Sequence, residues 1–387
     1  MTASDVIIIG GGINGCSVAF FLAQAGLKVT LVERDFIASG PTGRSSAIIR
    51  QHYSNEVTAR MALRSLRIWQ NFADVVGGDA GFVQTGILLG ASEEQLPALK
   101  ANIEMQKRVG IDTRFLTPEE VREVEPAASV EGLAGAAYEP EAGHADPAAA
   151  AMAFAEGARS AGATLMLNTR ATGLQAAGGK ITGVETDRGS LSAGAVVIAA
   201  GPWTPYLTRT IGLDLPITAS RHEVAAYRRP PTFTRHMIFA DFTLDFYLRP
   251  ETGGLMLVGS IEDVDDQVDP DNYDERIAFD TIAAFAERVT RRYPAMENGE
   301  SAGGWASLYD ITPDWHHIMG ALPGVDGLYC VAGGSGHGFK LAPAVGEMMR
   351  DLIVHGPSPE ADINLFSFER FSQNRLITGQ YEQSIVG

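Results

Sequence analysis

Apolar and polar positions change rhythm several times within the first 33 residues. Residues 6–9 form an unbroken apolar run that predicts a strand buried on both faces. A glycine turn follows, then a helix over about 14–25 that stops at Gly26, then a second strand over 28–32 that closes on Glu33. This is the rhythm of a βαβ unit. Later in the chain, patterning predicts a strand over 164–167, a β-ribbon turning at Gly178 and Gly179, and a strand over 195–199 that ends in Ala200 and Gly201. Two intervening stretches read differently. The first has a helix over 93–109 and a capping box from Thr117 to Glu120. The second is strand-rich, with "HEVAAYRR", "TLDFYLRP" and "GLMLVGS" followed by a helix over 276–292, and a last helix is expected over 341–353. No repeat, heptad array or low-complexity run is present.

The turn of the first unit is G-x-G-x-x-G, with glycines at Gly10, Gly12 and Gly15. Gly10 permits the tight turn, Gly12 lets backbone approach a pyrophosphate, and Gly15 lets helix and strand pack closely. Ile13 and Asn14 open the helix, whose N-terminal end carries partial positive charge. Glu33 is placed to accept hydrogen bonds from a ribose diol, and an acid there argues against a 2′-phosphate and so against NADP. FAD and NAD remain. Next comes "FIASGPTGRSSAIIRQHYS", in which Arg44, Ser45 and Ser46 suit a second phosphate and a flavin edge, although a plain surface loop explains its glycines and proline equally well.

Composition narrows the function classes. The 387 residues carry a formal net charge of −17, which repels phosphate backbones, so nucleic acid and anionic membrane are not expected partners. Two cysteines, Cys16 and Cys330, without C-x-x-C spacing exclude a disulfide framework and a thiolate zinc site, and fit a reducing cytoplasm. The first apolar run is too short for a signal segment or a spanning helix. The acidic stretch 262–275 lacks EF-hand spacing and reads as a solvated loop, and His316–His317 has no third ligand pattern, so no metal is expected.

The segment "CVAGGSGHGFKLAPAVGEMM" places four glycines beside His337 and Lys340. Together with the βαβ–Glu33 start, "TGRSSAIIRQHYS", "AAGPWT" and "LYDITPDWHHIMG", in that order, it resembles the FAD-dependent amine and amino-acid oxidoreductases of the D-amino-acid oxidase superfamily. That group includes monomeric sarcosine oxidase, the sarcosine oxidase β subunit and glycine oxidase, and the resemblance covers nearly the full length. It implies an α/β chain of two domains. A Rossmann-like FAD-binding domain would be built from 1–84, 146–215 and 305–387, and a substrate domain with a mainly antiparallel sheet and helices from 85–145 and 216–304. FAD would touch the residues already named together with Arg34, Ala171, Ala200, Gly201, Trp203, Gly334, Gly336, His337, Gly338, Phe339 and Lys340.

Resemblance also implies the chemistry: oxidation of the C–N bond of a small, N-alkyl or otherwise secondary amino acid by hydride transfer to flavin N5. Arg50 and Lys340 would hold the substrate carboxylate, and their charge would favour a neutral amine. His337 and Lys340 would stabilise the reduced flavin, with Tyr247 in the substrate pocket and His52 and Tyr53 as weaker candidates. No obligate side-chain base is evident. Two departures matter. Ser307 stands where some relatives attach FAD through cysteine, so FAD is expected to be dissociable. No lysine lies between Ile181 and Phe339, with Leu257 or Val258 where sarcosine oxidases carry an O₂-activating lysine. Electrons would then pass to O₂ or to another acceptor, and the chain could serve as the dehydrogenase subunit of a multi-chain amine- or opine-oxidising complex.

Overall fold

The computed structural model describes residues 4–233, 235–263 and 266–381. The expected βαβ unit is its centre. Strand Ser4–Ile9 pairs in parallel with Val29–Val32 on one side and Gly189–Ile198 on the other. Thr164–Met166 extends the parallel sheet beyond Val29–Val32, and Leu328–Ala332 joins it beside Gly189–Ile198. Alternation along the first strand explains why it is apolar throughout. Val6 and Ile8 pack into the core under helix Ile13–Gln24, while Ile7 and Ile9 pack with Leu174, Val184 and Leu207 on the opposite face. The ribbon expected at Gly178 and Gly179 is present as Ala171–Ala177 against Lys180–Thr186, both glycines having positive φ.

A second sheet of eight strands is antiparallel except where Ile238–Asp241 runs parallel to Ile87–Ala91. It draws its strands from 87–139 and 218–311, and strand Glu300–Ile311 passes straight across residue 305. A buried ion pair anchors its covering helix Phe279–Arg292, with Arg292 Nε donating to Asp241 Oδ2 at 2.7 Å. The capping box forms as read, Thr117 Oγ1 accepting from Glu120 N and Glu120 Oε2 from Thr117 N. Three helix starts differ from expectation by three residues, and the helix read from 93 begins at Leu96. The helix read from 276 begins at Phe279, because Glu223 Oε1 takes the Ala278 amide and Asp274 takes that of Arg276. The last helix begins three residues early, at Gly338, because Trp69 stacks on Phe339 and donates to the Lys340 carbonyl. Packing overrides the weak helix propensity of glycine there.

Candidate functional site

The first helix and the loop 333–338 both open on one cavity of about 510 Å³, within the range of small-molecule sites. At one end lies the glycine turn. Gly10 has φ +113°, and a Cβ on Gly15 would overlap the Gly10 carbonyl oxygen, so both must be glycine. Gly15 does not line the cavity and acts through packing, as its spacing implies. Gly12, Ile13 and Asn14 do line it, and the buried Asn14 Oδ1 has no protein partner. Glu33 accepts from Gly11 N at 2.7 Å and Asp35 N at 2.8 Å, which aims its carboxylate along the cavity wall with lone pairs to spare. This cradle fits a dinucleotide. Gly15→Val is expected to abolish cofactor retention, measured as flavin absorbance per polypeptide, whereas a retained full complement would contradict the packing role.

At the outer end of this cavity, expected cofactor residues meet partners that sequence reading missed. The Arg34 guanidinium lies 4.0 Å over the Trp203 ring, and both Arg34 and Trp203 donate to Asp271 Oδ1 at 2.8 Å. Arg44 donates to Tyr273 Oη at 3.1 Å and to Glu275 Oε1 at 2.8 Å. Residues 271–275 of the stretch read as a solvated acidic loop therefore pair with Arg34, Arg44 and Trp203, while 264–265 lie outside the described residues. Charge counting shows an acidic run but not which cations face it. Each partly exposed pair is worth about 0–1 kcal/mol. The double variant Asp271→Asn, Glu275→Gln is thus expected to speed FAD release roughly three- to tenfold at low salt and less at high salt, followed by flavin fluorescence.

Ser45, Ser46, Ala171, Ala200 and Gly201 also line the wall, as does Ser307. Tyr247 reaches the cavity from strand Phe246–Pro250, where its hydroxyl interacts with Ser46 and Tyr309. Gly259 makes room for that ring: a Cβ there would overlap it. Tyr309 stacks on His222 with centroids 3.9 Å apart, and both line the cavity. Neither was singled out from the sequence, although Tyr309 lies inside the quoted "LYDITPD".

The glycine loop itself is held from below. Asp310 Oδ2 accepts from Gly333 N at 2.7 Å, and the bidentate pair of Arg370 with Asp314 fixes the preceding turn. Gly333 and Gly336 have φ of +70° and +82°, and a Cβ on Gly336 would press on the Tyr309 ring. Gly334, Gly336, Gly338, Phe339 and Lys340 line the cavity, and so does Arg50, which follows strand Ile48–Ile49 and is only 7% exposed. Arg50 donates to the His52 carbonyl and lies 4.5 Å over the Tyr53 ring.

Placement and electrostatics separate the two groups expected to stabilise reduced flavin. His337 does not line the cavity. Its Nδ1 lies 3.2 Å from Tyr53 Oη and its ring stacks beside His316. Burial, then the charges of Lys340 and Arg50, hold it well below the ordinary histidine range. Its side chain thus faces Tyr53 and His316 rather than the cavity wall. Lys340 Nζ lies 3.4 Å from the Gly336 carbonyl oxygen; burial first, and Arg50 second, hold its ammonium well below the ordinary lysine range. His52 and Tyr53 are fully buried beneath Arg50 rather than on the wall. His316 and His317 are also buried, and among the described residues no group of three or more His, Cys, Asp or Glu is placed to hold a metal. Also among the described residues, no helix is long and apolar enough to cross a membrane.

Known proteins give the same picture. The sarcosine oxidase β subunit of an Arthrobacter species is 28% identical over 385 residues, covering 96% of this chain and 92% of that one. Glycine oxidase of Geobacillus kaustophilus is 28% identical over 358 residues, covering 90% and 92%. The crystal structure of L-proline dehydrogenase from P. horikoshii superposes with a TM-score of 0.90 at 31% identity, covering 97% of this chain and 99% of that one. The FAD dependent oxidoreductase family profile matches residues 5–352. With its glycine turn, the Glu33 carboxylate on the cavity wall and a family match over residues 5–352, this chain belongs to the FAD-dependent oxidoreductase family and is an FAD enzyme.

Proposed function

We propose that this enzyme oxidises the C–N bond of a small amino acid whose nitrogen is secondary, giving an imine that water hydrolyses. Bound FAD would be held by the glycine turn, Glu33, Arg44, Ser45, Ser46 and the 333–340 loop, and would supply hydride acceptance at N5. The cofactor domain is assigned to 1–84, 146–215 and 305–387, and the substrate domain to 85–145 and 216–304. One observation carries this reading: Arg50 and Lys340, both buried, stand on the wall of the cavity that also contains the dinucleotide cradle. Arg50 supplies a planar fork for a carboxylate. Lys340, held toward its neutral form, accepts the proton of the incoming substrate ammonium at Nζ. The neutral amine is then left to release hydride, and the new Lys340 ammonium pairs with the substrate carboxylate. This gives Lys340 the role of a base, one that sequence reading did not assign. Tyr247 borders the same space and would shape the pocket.

Sarcosine oxidase, glycine oxidase and proline dehydrogenase among the relatives support an amino-acid substrate, and two of the three named substrates are secondary amines. Ser307 cannot form a thioether, so FAD should leave with denatured supernatant. The free, buried cysteines suit a cytoplasmic setting. A second reading is favoured by one feature: among the described residues Lys340 is the one lysine on the cavity wall, and Leu257 and Val258 are buried apolar side chains. That supports transfer of electrons to an acceptor other than O₂, within a complex of partner subunits. Turnover of sarcosine, proline and glycine by the chain alone, compared with an artificial dye and with O₂, tests both. Dye reduction far exceeding peroxide formation favours the dehydrogenase, and no turnover with either acceptor counts against an autonomous enzyme.

A further inference from the structure

Behind Arg50, away from the cavity, the structure buries a carboxylate and an imidazole that the chemistry above does not use. Glu139 ends strand Gly135–Glu139 and is fully buried. Its Oε2 accepts from Gln51 N at 2.8 Å, directly under the Arg50–His52 segment, while its Oε1 has no hydrogen-bond partner. His52 Nδ1, equally buried and without a hydrogen-bond partner, lies 3.8 Å from Glu139 Oε1. His52 Nε2 lies 2.7 Å from Tyr381 Oη. When the tyrosine hydroxyl donates to Nε2, the tautomer places the ring proton on Nδ1, facing the carboxylate. A bare carboxylate with an unfilled oxygen is costly in a dry interior, so this site holds a proton readily.

We propose that Glu139, assisted by His52, is a positioning residue for Arg50 whose protonation is coupled to binding of the substrate carboxylate. This rests on Arg50 being the carboxylate clamp. Arg50's positive charge favours the ionised form of Glu139. An anion arriving at Arg50 offsets that field, and Glu139 takes one proton from solvent. Linkage makes the effect reciprocal: protonated Glu139 removes one negative charge from the surroundings of Arg50 and strengthens its hold on the anion. The groups facing the carboxylate agree in sign. Burial raises the Glu139 carboxyl to about 7, against the Gln51 amide and Arg50, which lower it. His52 is depressed to about 3 by burial first and then Arg50, so it supplies a neutral donor. Tyr53 and Tyr381 are both pushed up by burial and stay neutral hydroxyls.

Binding of 2-furoate, a carboxylate with no amine to titrate, to the FAD-loaded enzyme reads this coupling through the flavin spectrum. In the wild type the Kd is expected to rise about tenfold or more from pH 6 to pH 8.5, within the usual span of site coupling. Lys340 contributes in the same direction, so the comparison uses Lys340→Met and the double variant Lys340→Met, Glu139→Gln. The single variant should keep several-fold dependence, and the double variant should be flat to within twofold. Identical pH profiles in the two would overturn the proposal. Should Glu139→Gln fail to fold, calorimetry of Lys340→Met in two buffers of different ionisation enthalpy decides instead: proton uptake on binding supports the coupling, and none refutes it. Arg50→Ala separates the two levels. Undiminished furoate affinity there would remove the clamp itself, whereas lost affinity with unchanged pH profiles would remove only the role of Glu139.

Discussion

Arg50→Ala is expected to lower kcat/KM for amino-acid substrates by about 30- to 1,000-fold, mostly through KM, with FAD content unchanged. The magnitude follows from truncating one partner of a buried, hydrogen-bonded charge pair, about 2–4 kcal/mol. Arg50 is 7% exposed and its guanidinium is oriented by the His52 carbonyl and the Tyr53 face, so an ordered clamp is lost rather than a mobile surface charge. Arg50→Lys should recover only part of the loss, because an ammonium is a point charge without the planar fork. Steady-state kinetics on an amino acid and on the same amine lacking its carboxylate check the assignment. The clamp predicts a large effect on the first and little on the second; equal effects would point to damage of the fold.

Lys340→Met is expected to slow anaerobic flavin reduction by about 10²- to 10³-fold, the usual cost of losing a positioned base together with a charge near a developing anion. Its sign in pH is specific. Burial and Arg50 depress the Lys340 ammonium, so the neutral, proton-accepting form is present above that lowered value and lost below it. In the wild type, the reduction rate at limiting substrate therefore climbs with pH through the lowered Lys340 value and then levels. In Lys340→Met that limb should move up toward the substrate's own ammonium ionisation. Stopped-flow reduction across pH 6–10 measures it. An unshifted limb would show that the proton goes elsewhere.

Much of this was legible in the chain because local rules dictate it. An apolar run, three glycines and a closing acid at fixed spacing admit few arrangements other than strand Ser4–Ile9, helix Ile13–Gln24 and strand Val29–Val32 with Glu33 at the cavity. Thr117 and Glu120 are three residues apart, so their reciprocal cap is equally local. What escaped is long-range. His337 sits between Gly336 and Gly338, both on the cavity wall, yet its ring points toward Tyr53, 284 positions away, and no spacing encodes that choice. Asp271 meets Arg34 across 237 positions, and Glu139 meets Gln51 across 88. The depressed lysine follows the same logic. Its type suggests a cation, but burial beside Arg50, a tertiary fact, decides its charge.

The account stands on an FAD lodged between the amino-terminal cradle and the 333–340 loop and reduced there by a carboxylate-bearing amine. Anaerobic mixing of the purified yellow protein with a panel of sarcosine, proline, glycine and D-amino acids, following the flavin band near its visible maximum, tests this most directly. Full bleaching by at least one secondary amino acid, absent with the matching amine that lacks a carboxylate, is the predicted result. A colourless protein that takes up no added FAD, or a flavin that no amino acid bleaches, would contradict it.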